Sequence, residues 1–192
     1  MATDDQLWAR ACSGDDRAWL ELCRSLHARV HRFFTHKVVD HDVADLAQQT
    51  IQRFMEARAR FEGRSGVRGY VFGIAYNLLC EYIRRRTIRG SAADPDEVSA
   101  ADLAPRPSSV LRMREDGRRL LEALRLLPIA AQTLIELFYF EELTTAQIAE
   151  SLGIPDNTVR GRLSRARARL RELVEAGGRR EPGGGHGAGG HG

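Results

Sequence analysis

The 192-residue sequence has no long apolar run, because no stretch approaches the roughly 20 apolar residues that a membrane-spanning helix requires. Its N-terminal segment includes Asp4 and Asp5 and lacks the apolar core of a signal peptide. We therefore expect no membrane insertion and a cytoplasmic location.

Cysteine is scarce, and Cys12, Cys23 and Cys80 show no CxxC spacing, which argues against a disulfide scaffold or a zinc site. His27 and His31 are spaced i, i+4, but no acidic residue or cysteine beside them completes a metal site. The sequence also shows no pairing of a nucleophile with a base and no phosphate-binding loop. We expect no metal, no cofactor and no enzymatic activity.

Lysine is almost absent, since Lys37 is the single lysine among 29 basic residues, and the net charge is +3. The charge is unevenly distributed. Successive segments carry −2 (1–52), +6 (53–90), −5 (91–155) and +4 (156–192). Two basic blocks separated by an acidic stretch are typical of a protein that contacts a polyanion in two places. Helices with solvated charged faces would give the same pattern, so charge alone leaves both interpretations open.

Strand-like alternation of apolar residues is also missing, and apolar residues recur at helical spacing along most of the chain. The sequence predicts an all-α fold, with a break near Ser13–Asp15 and Phe72 in the core. The expected helices cover about 7–34, 42–59, 67–86, 110–127, 129–140, 144–152 and 156–176.

A segment rich in Pro, Ser and acidic residues, 90–109, has no apolar period and is predicted to be a flexible linker. It separates two small helical domains, 5–89 and 110–176. Residues 177–192 contain nine of the 18 glycines, which predicts a disordered tail.

The strongest local pattern lies between residues 144 and 159. Thr144 and Gln147 have capping-box spacing, and Gly153 is placed to end the first helix in a left-handed conformation. Pro155 suits the start of the next helix. Two helices joined by such a turn form a helix-turn-helix, whose second helix can enter a DNA major groove.

The predicted second helix has three distinct faces. One face is apolar and includes Val159, Leu163 and Ala166, and the opposite face carries small or hydrogen-bonding side chains. Arginines flank both sides, an arrangement that suits base edges at the centre and phosphates at the margins. Asn157 and Arg165 are the expected base readers, and Arg160 and Arg167 the expected backbone contacts. A solvated charged helix is the alternative.

Two further stretches, Asp42–Phe54 and Phe61–Arg86, precede Leu127-Pro128 and the helix-turn-helix. In this order they resemble the extracytoplasmic-function (ECF) group of RNA polymerase sigma factors, over residues 5–176. The resemblance implies promoter recognition and transcription initiation in a bacterial cytoplasm, on the nucleoid when in holoenzyme. The implied partners are promoter DNA, the clamp of the largest polymerase subunit, the flap of the second largest, and an anti-sigma factor. An autonomous helix-turn-helix regulator remains the alternative.

The resemblance also assigns residues to three surfaces. The polymerase-docking positions are Asp45, Leu46, Gln48, Gln49 and Thr50. The positions that open and read the −10 element are Arg64, Arg68, Tyr70, Asn77, Arg84 and Arg85. The positions that read the −35 element are Asn157, Thr158, Arg160, Ser164, Arg165 and Arg167.

The chain departs from the usual pattern of the group at five positions. It has Tyr70 where the group usually has Trp, Gln49 for Glu, and Val67 for an aromatic residue. Gly73 and Tyr76 stand where the group usually has arginine. These changes bear on the −10 sequence preference and on docking, and they leave the predicted fold unchanged.

Overall fold

A computed structural model describes residues 2–58, 61, 63, 65–86, 94–105 and 114–178, and these ranges contain helices and no strands. The predicted all-α fold is confirmed. The helices are α1 (Asp4–Cys12), α2 (Asp16–Thr35), α3 (Asp40–Ala57), α4 (Gly66–Arg86), α5 (Ala100–Leu103), α6 (Glu115–Arg125), α7 (Ile129–Tyr139), α8 (Thr145–Leu152) and α9 (Asp156–Gly178). None of these helices is long and apolar enough to cross a membrane.

The predicted break in the first helical stretch separates α1 from α2. Gly14 has a φ of +91°, a backbone conformation that favours glycine, so it lets the chain reverse at low cost. The Asp15 side chain then accepts hydrogen bonds from the backbone amides of Arg17 and Ala18 at the start of α2. This cap satisfies two amides that have no partner within the helix.

Helices α1–α4 form an N-terminal bundle, held by large apolar side chains that water does not reach. Phe34, Phe54 and Phe72 are among its largest buried residues, which confirms the prediction for Phe72. The long helix α4 packs against α1, α2 and α3. It is therefore the central element of this bundle.

Helices α6–α9 form a C-terminal bundle that contains the predicted helix-turn-helix. Thr144 and Gln147 make the predicted capping box, and Gly153 ends α8 with a φ of +65°. Val159, Leu163 and Ala166 of α9 are buried, so the predicted apolar face of this helix does face the core.

Part of the expected linker is structured. Ser99 and Asp102 form a capping box that starts α5, a short helix that the sequence analysis did not predict. Just before it, the backbone amides of Ile129 and Ala130 donate to the carbonyls of Val98 (2.8 Å) and Pro95 (3.0 Å). These bonds attach the segment to the start of α7. Residues 87–93 and 106–113 and the tail from 179 lie outside the described residues.

The two bundles pack directly against each other. One continuous cluster of buried apolar residues includes members of both, and the principal contact is between α4 and α8. Burial of apolar surface is the dominant favourable term in such an association. The molecule is thus closed, with α4 lying between the other N-terminal helices and the helix-turn-helix.

Candidate nucleic-acid and protein interfaces

The predicted docking surface on α3 is only partly exposed. Asp45 and Gln48 are exposed, and the half-buried Gln49 donates from Nε2 to Asp45 Oδ2 at 2.7 Å. Leu46 and Thr50 are buried, and the Thr50 hydroxyl donates to the Leu46 carbonyl at 2.8 Å. Of the five predicted docking residues, three therefore present their side chains to solvent and two have buried side chains.

A groove of about 170 Å³ runs between α3 and α4, beside Asp45. Arg53 makes two parallel hydrogen bonds to Glu81 at 3.0 and 3.1 Å, and these hold the pKa of the Glu81 carboxyl below its usual value. On the other side, the Tyr82 hydroxyl donates to Asp42 at 2.9 Å. The groove is therefore bordered by polar groups that these hydrogen bonds hold in place.

Tyr70 belongs to an aromatic cluster at the start of α4. Its ring centroid lies 5.1 Å from that of Phe61 and 6.4 Å from that of Phe54. Trp8 contacts Phe54 and Phe61 from α1, and Trp19 stacks on Phe54 at 5.9 Å. The half-buried Tyr70 is thereby held in a fixed orientation with part of its surface accessible. The sequence analysis did not include the two tryptophans in this site.

The other predicted −10 residues fall into three groups. Asn77, Arg84 and Arg85 are exposed on α4, and Arg85 lies 3.8 Å from Glu81. Arg68 is occupied within the molecule, because it donates to Asp4 Oδ2 at 2.9 Å and to the Glu141 carbonyl at 2.7 Å. Arg64 lies outside the described residues.

Helix α9 presents all of its predicted −35 residues at least partly to solvent. Arg160 pairs with Asp156 at 2.7 Å, and hydrogen bonds from Thr145 and Arg160 hold the pKa of Asp156 below its usual value. Arg167 lies 3.3 Å from the Tyr139 hydroxyl. Arg165 makes no ion pair with any residue that the structure describes. The remaining members of the set are Asn157, Thr158 and Ser164.

A buried ion pair joins the two bundles. Lys37, which is fully buried, donates from Nζ to a carboxylate oxygen of Glu136 and to the Phe33 carbonyl at 2.8 Å. Burial lowers the pKa of Lys37, and the Glu136 carboxylate opposes that change. A second interbundle pair joins Arg29 to Glu141 at 3.1 Å. In the sequence, the feature that could have drawn attention to Lys37 is that it is the single lysine in an arginine-rich chain.

Helix α4 approaches α8 at two glycines. A Cβ atom added to Gly73 would lie 2.5 Å from the Ser151 carbonyl oxygen, and one added to Gly69 would lie 2.7 Å from the Ser151 hydroxyl. No larger residue fits at position 73 unless the helices separate. The feature of the sequence that could have indicated this close approach is Gly73 itself, which stands where the ECF group usually has arginine.

An acidic turn, defined here as residues 94–97, lies beside α9. Asp96 in this turn pairs with Arg162 at 3.2 Å. Tyr76 and Cys80 of α4 are near enough for Asp96 to raise the pKa of both, although burial is the main cause of each rise. The acidic turn therefore contacts α9 through the pair of Asp96 with Arg162.

A cavity of about 560 Å³ opens between the bundles. Phe33 and Phe72 line it from one side, and Leu121 and Leu124 line it from the other. Tyr139 and Phe140, about half exposed, are also among its lining residues. Exposed aromatic side chains at a concave apolar surface are typical of protein-binding sites.

No group of side chains suited to a metal ion occurs among the residues that the structure describes.

Two family models match the chain: Sigma-70 region 2 over residues 22–88, and Sigma-70 region 4 over residues 117–170. The ECF RNA polymerase sigma factor SigE of Mycolicibacterium smegmatis is 32% identical over 84% of this chain and 65% of its own length. The probable RNA polymerase sigma factor RfaY of Xanthomonas campestris is 33% identical over 71% of this chain. The chain spans only 36% of RfaY and slightly under two thirds of SigE.

Solved structures show the same fold. The sigma factor RpoE of Bartonella quintana, determined with the anti-sigma factor NepR, superposes with a TM-score of 0.61 at 23% identity. The match covers 83% of this chain and 96% of RpoE. Together with the two sigma-70 regions and the helix-turn-helix, these findings show that the chain belongs to the ECF family of RNA polymerase sigma factors.

Proposed function

We propose that this protein binds core RNA polymerase through α3 and directs it to promoters that α4 and α9 read at the −10 and −35 elements. It acts in the bacterial cytoplasm, and on the nucleoid when it is part of the holoenzyme. The geometry of α9 is the observation that carries this proposal.

Helix α9 combines a buried apolar face with an exposed polar one. Val159, Leu163 and Ala166 fix the helix against its bundle, so the opposite side faces solvent. That side presents Asn157 and Ser164 between rows of arginines. An amide and a guanidinium can read base edges in the major groove, and flanking arginines neutralise phosphates. We assign Arg165 to base reading because it makes no competing ion pair with a described residue.

The polymerase contact falls on the exposed part of α3. Asp45, Gln48 and Gln49 present one carboxylate and two amides beside the groove between α3 and α4. Polar groups of this kind set the orientation of a docked partner, while the adjoining groove supplies shape complementarity. We propose that the clamp of the largest polymerase subunit binds here, and that the flap of the second largest contacts the C-terminal bundle.

The −10 element is assigned to the start and the exposed face of α4. Tyr70, held by Phe54 and Phe61, offers a ring on which an unstacked base can lie. Asn77 and the arginines at the end of α4 provide hydrogen bonds and charge for the backbone of the opened strand. We keep Arg64 in this proposal on the basis of the family pattern alone.

An anti-sigma factor is the proposed regulator. RpoE of Bartonella quintana was determined in complex with one, and its fold is shared with this chain. The 560 Å³ cavity between the bundles, with the half-exposed Tyr139 and Phe140, is a suitable place for an apolar segment of such a partner.

Run-off transcription with purified core polymerase and a promoter library tests the proposal. We expect specific initiation with the protein and none without it. The double substitution Asp45→Ala and Gln48→Ala should reduce transcript yield about tenfold or more, because it removes two polar contacts of the docking surface. Glu21→Ala, an exposed change on α2, is the matched control and should leave the yield unchanged.

Two outcomes would contradict the proposal. If the protein binds duplex DNA tightly without polymerase and gives no transcript, it is an autonomous helix-turn-helix regulator. If the α3 double variant initiates as well as the unmodified protein, the docking surface has been placed on the wrong residues.

A further inference from the structure

Helix α1 packs against the start of α4, although none of the predicted surfaces includes it. It spans Asp4–Cys12 and so precedes residues 22–88, which Sigma-70 region 2 matches. Thr3 and Gln6 form a capping box at the start of α1, and Leu7 is buried. A nine-residue helix held by a cap and by an apolar side chain can keep its carboxylates in fixed positions beside its neighbour.

Asp5 caps α4 from outside that helix. Its Oδ1 atom accepts a hydrogen bond from the backbone amide of Val67 at 2.9 Å. The first amides of a helix have no acceptor within it, and a negative charge there interacts favourably with the helix dipole. Residues 66–69, the first turn of α4, include no acidic residue. Asp5 thus supplies, from 62 positions earlier in the chain, the negative charge that this turn lacks.

Asp4 anchors the next residue of α4. Arg68 donates from Nε to Asp4 Oδ2 at 2.9 Å, and the Ser25 hydroxyl donates to Asp4 Oδ1 at 3.2 Å. Arg29 lies 3.9 Å from the same carboxylate, which is buried. Hydrogen bonds between charged groups are stronger than those between neutral ones. Two adjacent residues of α1 therefore hold two adjacent residues of α4.

These contacts lie within one turn of Tyr70, the proposed stacking residue. Trp8 of α1 meets the Phe61 ring edge-on at 5.2 Å, and Phe61 in turn lies 5.1 Å from Tyr70. Helix α1 thus contacts both the backbone before Tyr70 and the aromatic neighbour of its ring. A binding group works well only when surrounding residues hold it close to its productive geometry.

We propose that Asp4 and Asp5 are positioning residues for promoter opening, which hold the first turn of α4 so that Tyr70 can receive an unstacked base of the −10 element. Arg68 serves in this arrangement as the anchor of α4 on Asp4, and its guanidinium is not available to DNA phosphates. The inference rests on the proposed function, which places −10 reading on α4, and it adds α1 to that function.

The first measurement tests the cap in the free protein by NMR. Asp5→Ala should accelerate amide hydrogen exchange at Val67 about fivefold or more, because the amide loses its acceptor. Asp5→Asn keeps an acceptor oxygen and should restore most of the protection. Asp16→Ala is the matched control, since it removes an exposed carboxylate from the first turn of α2. An unchanged exchange rate in Asp5→Ala would overturn the proposal.

The second measurement follows promoter opening by the holoenzyme, with a fluorescent base analogue in the −10 element of a promoter found by run-off transcription. Asp5→Ala should slow opening about fivefold, the factor that loss of a helix N-cap typically represents. The Kd for core polymerase should stay unchanged, because α3 carries that contact. Asp5→Asn should recover most of the rate. A merely structural defect would weaken polymerase binding and opening together, and that result would overturn the proposal.

A third variant, Asp4→Asn, separates anchoring from competition. If Asp4 anchors Arg68, the variant should open the promoter about twofold more slowly or worse, because the bond between the two charged groups is lost. If Asp4 instead withholds Arg68 from DNA, the variant should open the promoter faster, and its DNA binding should gain the salt dependence of about one phosphate contact. The second result would overturn the proposal.

The proposed function and the positioning role fail in different ways. If no holoenzyme forms with the unmodified protein, the proposed function fails and the role in opening fails with it, whatever the exchange rate at Val67. If the unmodified holoenzyme opens the promoter and the Asp5→Ala holoenzyme opens it equally fast, the proposed function stands and only the positioning role is overturned.

Discussion

Lys37 and Glu136 form an ion pair that is buried between the two bundles, 99 residues apart in sequence. Water does not reach the ammonium group, which also rests 3.8 Å from the centre of the Phe33 ring. The carboxylate receives a further hydrogen bond from Gln132 at 2.8 Å. Two charges removed from water in this way are stable only while each has its partner.

Removing either partner should therefore destabilise the closed protein strongly. We expect Lys37→Met and Glu136→Leu each to lower the free energy of unfolding by about 3–5 kcal/mol, because each leaves one buried charge uncompensated. The double variant should lose less than either single variant, since an apolar pair can fill the same space. Urea titrations of the unmodified protein, the two single variants and the double variant complete a double-mutant cycle. Additive losses would show that the two residues act independently.

His36 makes stability depend on pH. Burial, together with the nearby charges of Lys37 and Arg125, lowers the pKa of His36 from 6.5 to about 4. Between these values the unfolded chain binds more protons than the folded protein, so the free energy of unfolding must fall as pH decreases from 6.5 toward 4. The full loss attributable to His36 is at most about 3 kcal/mol.

The contribution of His36 is measured by comparing two pH profiles. His36→Gln cannot titrate, so its unfolding free energy should decline less steeply than that of the unmodified protein between pH 6.5 and 4. Chemical denaturation at half-unit pH intervals gives both curves. Parallel curves would mean that the imidazole is free to protonate in the folded state.

The turn of the helix-turn-helix depends on one backbone angle. Gly153 ends α8 with a φ of +65°, and a Cβ there would meet no atom within 4 Å. Gly153→Ala should lower the free energy of unfolding by about 1 kcal/mol through backbone strain alone. Gly153→Asn should lose less, because asparagine tolerates the left-handed conformation better. If Gly153→Ala and Gly153→Asn lose the same free energy of unfolding in thermal denaturation, backbone strain at this position is not the cause.

Arg165 and Arg160 should affect DNA binding differently. If Arg165 reads a base, Arg165→Ala should cost about 1–3 kcal/mol and relax preference at one −35 position. Arg160→Ala should weaken holoenzyme binding uniformly across sequences and reduce the salt dependence by about one phosphate contact. Binding of variant holoenzymes to a randomised −35 library at two salt concentrations separates the two effects. The assignment fails if Arg165→Ala leaves every sequence preference intact.

Most of the helices could be predicted because the residues that start and end a helix lie within a few positions of each other in the sequence. Thr144, Gln147 and Gly153 act within a few residues of one another, so spacing alone identified the start and end of α8. The capping box of Ser99 and Asp102 is equally local and would have identified α5 within the expected linker. The Pro, Ser and acidic residues around this capping box instead led to the prediction of a flexible linker over 90–109.

Contacts between the bundles could not be predicted in the same way. Gly73 and Ser151 are 78 residues apart, and no sequence pattern around either residue indicates that the two lie in contact. The family pattern assigned five docking positions on α3, but it did not indicate that Leu46 and Thr50 face inward. Exposure depends on which helices pack nearby, and a motif in one helix does not contain that information.

Footprinting on one promoter, with the free protein and with the holoenzyme, tests the central claim most directly. The account predicts that the holoenzyme protects the −10 and −35 elements together, while the free protein protects neither at the concentration that saturates the holoenzyme. Protection of a duplex site by the free protein alone, with no change when core polymerase is added, would contradict the assignment of a sigma factor.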